Sequence, residues 1–309
     1  MKSTLRHYGP VALLLAVILA VSSCLSLIIG RRAQDDRPVV LATTYPLYVA
    51  AQNVLGDSDG VRLEMLSGVG TGCLHDYQLS PADRLLLAEA DLVLCNGAGA
   101  EPFLDGIVEE SRRVDTSAGL EFLYATDHHH HEGEDHPHDE ADYNEHVWLS
   151  PARYNKQVAR VCEVLKTLCP AEAETYADNA QAYMEQILAI DRRLPNLSGR
   201  PCVLFQDSLA YLADDVGLDV KMTLAFDGDS GIAAADLAAV ERLAKEYPDL
   251  LLIYDTQYPI RYGAVDGLVP AEQVLALETV VTGKGRATDW LDAMERNLAK
   301  LANAGGDTP

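Results

Sequence analysis

The chain has 309 residues, enough for one or two domains. Its formal net charge of −23 excludes nucleic-acid binding as the main task, because phosphate backbones would be repelled. Hydrophobic residues make up 48% and the acid is spread along the chain, which excludes wholesale disorder.

Lys2 and Arg6 precede an unbroken apolar run over 11–21, and Val21-Ser22-Ser23-Cys24 follows. A basic start, an apolar centre and small residues at the cut form an export signal over 1–23. A cysteine directly after the small residues resembles a lipobox, with Cys24 lipidated as the mature N-terminus. A second reading stays open. The apolar stretch continues to 29, nearly the ~20 residues that span a bilayer, so an uncleaved anchor would also fit. Both readings place the rest of the chain outside the cytoplasmic membrane, with 24–37 as a tether.

The mature chain alternates strand and helix. Residues 39–43 read as a buried strand, 46–55 as a helix and 61–66 as a second strand. Ser80-Pro81-Ala82-Asp83 is a helix start, with Ser as N-cap and Pro in the first turn. Residues 91–95 form a third strand, 101–111 a helix and 113–116 a short strand. The segment 127–145 breaks the rhythm. Its polar stretch cannot bury a face and reads as a loop. Ser150-Pro151 opens a helix that should end at Cys169-Pro170, since a residue before proline resists the α conformation. The helix from 171 to 194 carries Tyr176, Ala180, Tyr183, Ile187 and Ile190 at helical spacing. Alternation then resumes, with strands at 202–205, 220–224, 250–254 and 274–277. Helices are expected at 207–215, 232–246 and 288–301. The fold class is α/β: two similar lobes, each a small mostly parallel sheet flanked by helices, joined by one long rigid connecting helix. The expected divisions are 38–168 for the first lobe, 169–197 for the connecting helix and 198–309 for the second lobe.

Cys73, Cys95, Cys162, Cys169 and Cys202 show no metal spacing, and their odd number leaves at least one unpaired within the chain. Cys162 and Cys169 lie ~10 Å apart along a helix axis, too far for a bridge unless the helix breaks between them. These cysteines read mostly as small buried apolar residues.

Open α/β sheets bind ligands beyond their strand ends. Four segments put polar side chains there or at helix starts: Leu74-His75-Asp76-Tyr77, Glu145-His146-Val147-Trp148, Phe205-Gln206-Asp207-Ser208 and Tyr254-Asp255-Thr256-Gln257. His75 and His146 are the histidines of the structured part. A lone histidine is more often structural than a ligand, yet histidine is also the commonest metal ligand. Asp255 follows five apolar residues and needs a partner if buried. The loop holds His128, His129, His130, His131, His136 and His138 among acidic residues, a composition that traps metal ions.

Taken together, the lipobox, Gly72-Cys73-Leu74-His75-Asp76-Tyr77, Ala90-Asp91-Leu92-Val93-Leu94-Cys95-Asn96-Gly97, the acidic His-rich loop and His146-Val147-Trp148-Leu149-Ser150-Pro151 resemble one family. They are similar to the zinc/manganese solute-binding proteins of ABC transporters (cluster A-I). The likeness continues through Asp207-Ser208-Leu209-Ala210-Tyr211-Leu212, Gly228-Asp229-Ser230-Gly231 and Asp255-Thr256-Gln257-Tyr258. The resemblance implies a metal held between the lobes by His75, His146, Gln206 and Asp255, with the loop as an auxiliary binder. The family usually has His or Glu where this chain has Gln206, a neutral and weaker oxygen donor. The ion implied is Zn2+, with Mn2+ the alternative. The function implied is a monomeric, membrane-tethered receptor, not an enzyme, that delivers metal to an ABC permease and its cytoplasmic ATPase. A hydrolytic metalloenzyme is opposed by the absence of HExxH. A metal-binding adhesin or buffer acting through the loop is the other reading.

Overall fold

The computed structural model describes residues 13–23, 35–66, 77–125, 143–224, 232–257, 265 and 267–305. The chain divides into a unit over Met1–Pro38 and a unit over Val39–Pro309. In the first, residues 13–23 form an exposed helix, α1, and Arg37 pairs with Asp35 at 2.8 Å. No helix among the described residues is long and apolar enough to cross a membrane. Cys24 lies outside the described residues.

The second unit contains two four-stranded parallel sheets with the same strand order. β1 (Val39–Ala42), β2 (Arg62–Met65), β3 (Leu92–Cys95) and β4 (Arg113–Asp115) run β2-β1-β3-β4. β5 (Pro201–Leu204), β6 (Asp219–Thr223), β7 (Leu251–Asp255) and β8 (Val274–Leu277) run β6-β5-β7-β8. Parallel neighbours require crossovers, and helices supply most of them. These are α2 (Tyr45–Leu55) and α3 (Pro81–Glu89) in the first half, and α6 (Ala210–Asp215) and α7 (Ala234–Glu246) in the second. Between the halves stand α4 (Pro151–Leu168) and α5 (Ala173–Asp191), and α8 (Asp289–Gly305) closes the chain.

The near-continuous apolar strands follow from burial on both faces. Along β1, Val40 and Ala42 enter one core while Leu41 enters another with Leu87 of α3. Along β5, Cys202 and Leu204 point one way, and Val203 joins a separate cluster with Val240 of α7. The inward residues of both sheets share one core with α2, α4, α5 and α8. Tyr154 stacks on Trp290 in that core at 4.4 Å. The Trp148 indole N–H donates to the Thr279 carbonyl at 2.7 Å, and that of Trp290 donates to the Trp148 carbonyl at 3.0 Å. The two sheets are thus locked through a common apolar interior.

The Ser80 start forms a full capping box. Asp83 N–H donates to the Ser80 hydroxyl at 3.2 Å, and Ser80 N–H donates to the Asp83 carboxylate at 2.9 Å. Ser150 caps α4, and Cys169 leaves the helix at φ −127°, as the following proline dictates. The buried face of α5 is Tyr176, Ala180, Tyr183, Ile187 and Ile190, as its spacing predicts. The helix expected over 101–111 is absent. Short 3-10 turns, Pro102–Leu104 and Glu110–Arg112, stand there instead. Gly106 adopts φ +71°, which ends helical propagation, and the Arg113 guanidinium takes the Val108 carbonyl at 3.0 Å.

Cys95, Cys162 and Cys202 are buried, Cys169 is half-buried, and none of these four forms a disulfide. Burial pushes the Cys202 thiol up to about 12 and the Cys95 thiol higher still, so both are poor sources of metal-binding thiolate. Cys73 lies outside the described residues.

Candidate metal centre

The strand order of each sheet reverses beside its first strand, and ligands bind beyond the carboxyl ends at such a point. In the second sheet β5 pairs with β7, and Leu204 lies opposite Ile253. Gln206 follows β5 and Asp255 ends β7, so the two residues stand at the same end of neighbouring strands.

Asp255 is 2% exposed. Its Oδ1 accepts from Gln257 N–H at 2.7 Å and its Oδ2 from the Thr279 hydroxyl at 2.7 Å. Burial raises its carboxyl above the usual range, and those hydrogen bonds and nearby His146 hold it partly back. Thr279 is followed by Val280 at φ +58°, a conformation that strains a β-branched residue. Such strain collects at functional sites. Gln257 braces the turn, its amide oxygen accepting from Val281 N–H at 3.1 Å and its amide nitrogen donating to the Thr282 carbonyl at 2.8 Å.

Gln206 follows β5 in extended conformation. Its amide oxygen is buried and has no hydrogen-bond partner among the described residues. A buried acceptor in this state has the lone pairs to coordinate a cation.

His146 is 6% exposed and precedes the 3-10 turn Val147–Leu149. The segment carrying it is tied to both sheets. Asn96, just past β3, donates through Nδ2 to the Glu145 carbonyl at 2.8 Å. Asn144 donates through Nδ2 to the Asp207 carbonyl at 2.7 Å, and the Tyr211 hydroxyl donates to the Asn144 carbonyl at 2.8 Å. The His146 ring lies 5.2 Å from the Trp148 ring, which fixes its plane from one side.

The first sheet's switch point is closed by Glu101. Its carboxylate accepts from the Thr43 hydroxyl at 2.6 Å, Asn96 N–H at 2.6 Å and Gly97 N–H at 3.1 Å. Gln157 Nε2 faces Asn96 Oδ1, Thr116 Oγ1 and Ser117 Oγ at 3.0–3.1 Å. This buried amide network holds Asn96, and through it the His146 segment.

His146 stands near enough to Asp255 to act on its carboxyl, and Gln206 follows the neighbouring strand. His75 and the loop histidines His128, His129, His130, His131, His136 and His138 lie outside the described residues. Among the described residues no three His, Cys, Asp or Glu side chains converge as a metal-holding group. Gln206 falls outside that set of residue types. Sequence reasoning missed Asn144, Thr279 and Glu101. Asn144 carried a signal only in its position two residues before His146, and Thr279 only in following the last strand.

The sequence matches the family described as zinc-uptake complex component A, periplasmic (ZnuA), over residues 40–304. The zinc-binding lipoprotein AdcA of Streptococcus pneumoniae serotype 4 (strain ATCC BAA-334 / TIGR4) is 26% identical over 287 residues. That match covers 88% of this chain but 56% of the relative, so the chain spans about half the length of AdcA. The high-affinity zinc uptake system protein ZnuA of Bacillus subtilis (strain 168) is 23% identical over 297 residues, covering 88% of this chain and 89% of its own length. Among solved structures, the solute-binding protein FpvC of Pseudomonas aeruginosa in complex with Mn2+ aligns with a TM-score of 0.72 and 21% identity, over 87% of this chain and 98% of that one. A crystal structure of ZnuA aligns with a TM-score of 0.67 and 21% identity, over 87% and 99%. The structural likenesses establish the fold, two parallel-sheet α/β halves flanked by helices. With the family match spanning most of its length, the chain belongs to the zinc-uptake complex component A family.

Proposed function

We propose that this protein is an extracytoplasmic receptor of an ABC importer, not an enzyme, and that it binds one divalent metal at the junction of its two sheets. The observation that carries the reading is the effect of His146 on the Asp255 carboxyl, with the orphan Gln206 oxygen on the neighbouring strand's end and the His146 segment held by both halves of the chain. The ligand set is His75, His146, Gln206 and Asp255. Two imidazoles and two oxygens suit a borderline divalent ion, and zinc is the ion named for AdcA and for the B. subtilis protein. Manganese is the alternative, because an amide oxygen is harder than an imidazole and the FpvC structure holds Mn2+.

In this reading 1–23 is the export signal, Cys24 carries the lipid, and 24–37 tethers a monomer to the outer face of the cytoplasmic membrane. The lobes are 38–168 and 198–309, with 169–197 as the rigid link. Metal passes to the permease, which a cytoplasmic ATPase drives. The shared core opposes a wide clamshell opening, so capture proceeds by local shifts near the ligands. The loop histidines His128 to His138 gather metal ahead of the main site.

The test is competitive titration of metal-stripped protein from residue 33 onward with zinc and with manganese. The same is done for His75→Ala, His146→Ala and a deletion of 128–138. The reading expects one tight site, lost in either single variant and kept without the loop. Weak multiple sites that vanish with the loop would instead favour a metal buffer or adhesin.

A further inference from the structure

We propose that Asn144 is a positioning residue that holds His146 as the tautomer protonated at Nδ1 and so presents Nε2 to the metal. The proposal rests on the reading of His146 as a ligand.

Asn144 is fully buried, and its amide orientation is fixed twice over. One amide atom lies 2.9 Å from the backbone N–H of His146. That N–H can only donate, so the atom is the oxygen. The other lies 2.7 Å from the Asp207 carbonyl. That carbonyl can only accept, so the atom is the nitrogen. The two contacts agree. Asn144 Oδ1 also lies 3.1 Å from the ring nitrogen Nδ1 of His146. An amide oxygen has lone pairs and no hydrogen, so the pair is a hydrogen bond only with a proton on Nδ1. The Glu145 carboxylate, 3.9 Å from the same nitrogen, adds negative charge on that side. Nε2 then keeps its lone pair.

The same side chain spans the junction. Its Nδ2 holds the carbonyl of Asp207, the neighbour of Gln206, in the second half of the chain. Its backbone is held too, N–H donating to the Leu123 carbonyl at 2.9 Å and the carbonyl accepting from the Tyr211 hydroxyl at 2.8 Å. One residue therefore sets the tautomer of one proposed ligand and the place of the strand end that carries another. Partners that orient a metal-binding histidine in this way are worth about 10- to 100-fold in affinity.

The test uses the intact chain, metal-free and labelled with 15N-histidine, at mildly alkaline pH. Long-range proton–nitrogen correlation reads the tautomer, and the His146 signals are those lost in His146→Gln. Wild type is expected to show Nδ1 protonated and Nε2 bare. Asn144→Ala should move His146 toward the Nε2-protonated form favoured by free imidazole and weaken metal binding by about 10- to 100-fold. Asn144→Asp keeps an acceptor for Nδ1–H and should retain the tautomer, while losing the donor to Asp207. A wild-type His146 protonated at Nε2 overturns the proposal without any variant. So does an Asn144→Ala protein that keeps both tautomer and affinity while His146→Gln abolishes binding. If His146→Gln leaves metal binding intact, the ligand reading itself has failed, a result distinct from either of these.

Discussion

Tyr45, the first residue of α2, donates its phenolic hydrogen to the carboxylate of Asp289, the first residue of α8. The contact links opposite ends of the folded unit. The same carboxylate accepts from the backbone N–H groups of Lys284 at 2.6 Å and Arg286 at 3.2 Å, and from the Arg286 guanidinium at 2.8 Å. Burial alone would raise the Asp289 carboxyl. The hydrogen bonds from Tyr45, Lys284 and Arg286 outweigh it and hold the group at about 2, against an ordinary 3.8. The Tyr45 hydroxyl is pushed up to about 12, by burial first and by Asp289 second.

A depressed carboxyl stabilises the fold fully above its unfolded value, and the contribution fades as pH falls through the folded value. The shift corresponds to about 2 kcal/mol. Asp289→Asn should therefore cost about that much at neutral pH. The gap between wild type and variant should shrink as the pH falls from about 4 to 2. Urea unfolding at several pH values reads this directly.

Gly283 packs against the ring of Tyr45 so closely that a Cβ there would overlap it. Its constraint is one of space, since the neighbour is a ring already held by Asp289. Gly283→Ala should destabilise the protein by about 1–3 kcal/mol, the usual cost of overpacking. Adding Tyr45→Phe should recover little of that loss, because the ring stays in place. Thermal unfolding of the two variants checks both.

Two carboxyl groups away from the proposed ligands are displaced the other way. The Glu101 carboxylate is turned in on Thr43, Asn96 and Gly97, and burial raises it to about 7 despite those donors. Asp215 is raised to about 6 by burial, with Ser150 and Arg153 opposing. For such groups the folded form binds more protons than the unfolded form over the interval between the two values. Stability is then greatest below the unfolded values and falls as pH rises through the folded ones. The metal-free protein should melt higher near pH ~5 than near pH ~7.5. A higher melting temperature at the alkaline end would contradict this assignment.

Gln157 donates toward Asn96, Thr116 and Ser117 from a fully buried position on α4. Gln157→Leu leaves the Asn96 oxygen without its donor, at about 1–3 kcal/mol. Because Asn96 in turn holds the Glu145 carbonyl, the same variant should loosen the His146 segment and weaken metal binding. Unfolding and calorimetric titration measured on one preparation separate the two effects.

The architecture was largely legible in the sequence because burial on both sheet faces writes uninterrupted apolar strands, such as Leu250 to Tyr254. Helix starts were legible where Ser and Pro stand together, at Ser80 and Ser150. The stretch 101–111 misled because its composition suits a helix. Its fate was decided by Gly106 and by Arg113, a residue beyond the segment. Asp255 stood out as an acid ending an apolar strand, and His146 as one of few structured histidines. Asn144 did not, since an asparagine in a polar stretch has no periodicity to mark it. Its importance comes from Asp207 and Tyr211, brought close only by the fold. Thr279 was hidden for the same reason, 24 positions from the carboxylate it serves.

The proposed site holds one metal on ligands drawn from both halves of the chain, with an amide oxygen where an imidazole is usual. X-ray absorption at the zinc edge, on protein lacking 128–138 and loaded with equimolar zinc, addresses it most directly. The expected spectrum shows a single zinc with two imidazoles and oxygen ligands, reduced to one imidazole in His146→Ala and raised to three in Gln206→His. A spectrum unchanged by both substitutions, or one dominated by sulfur, would contradict it.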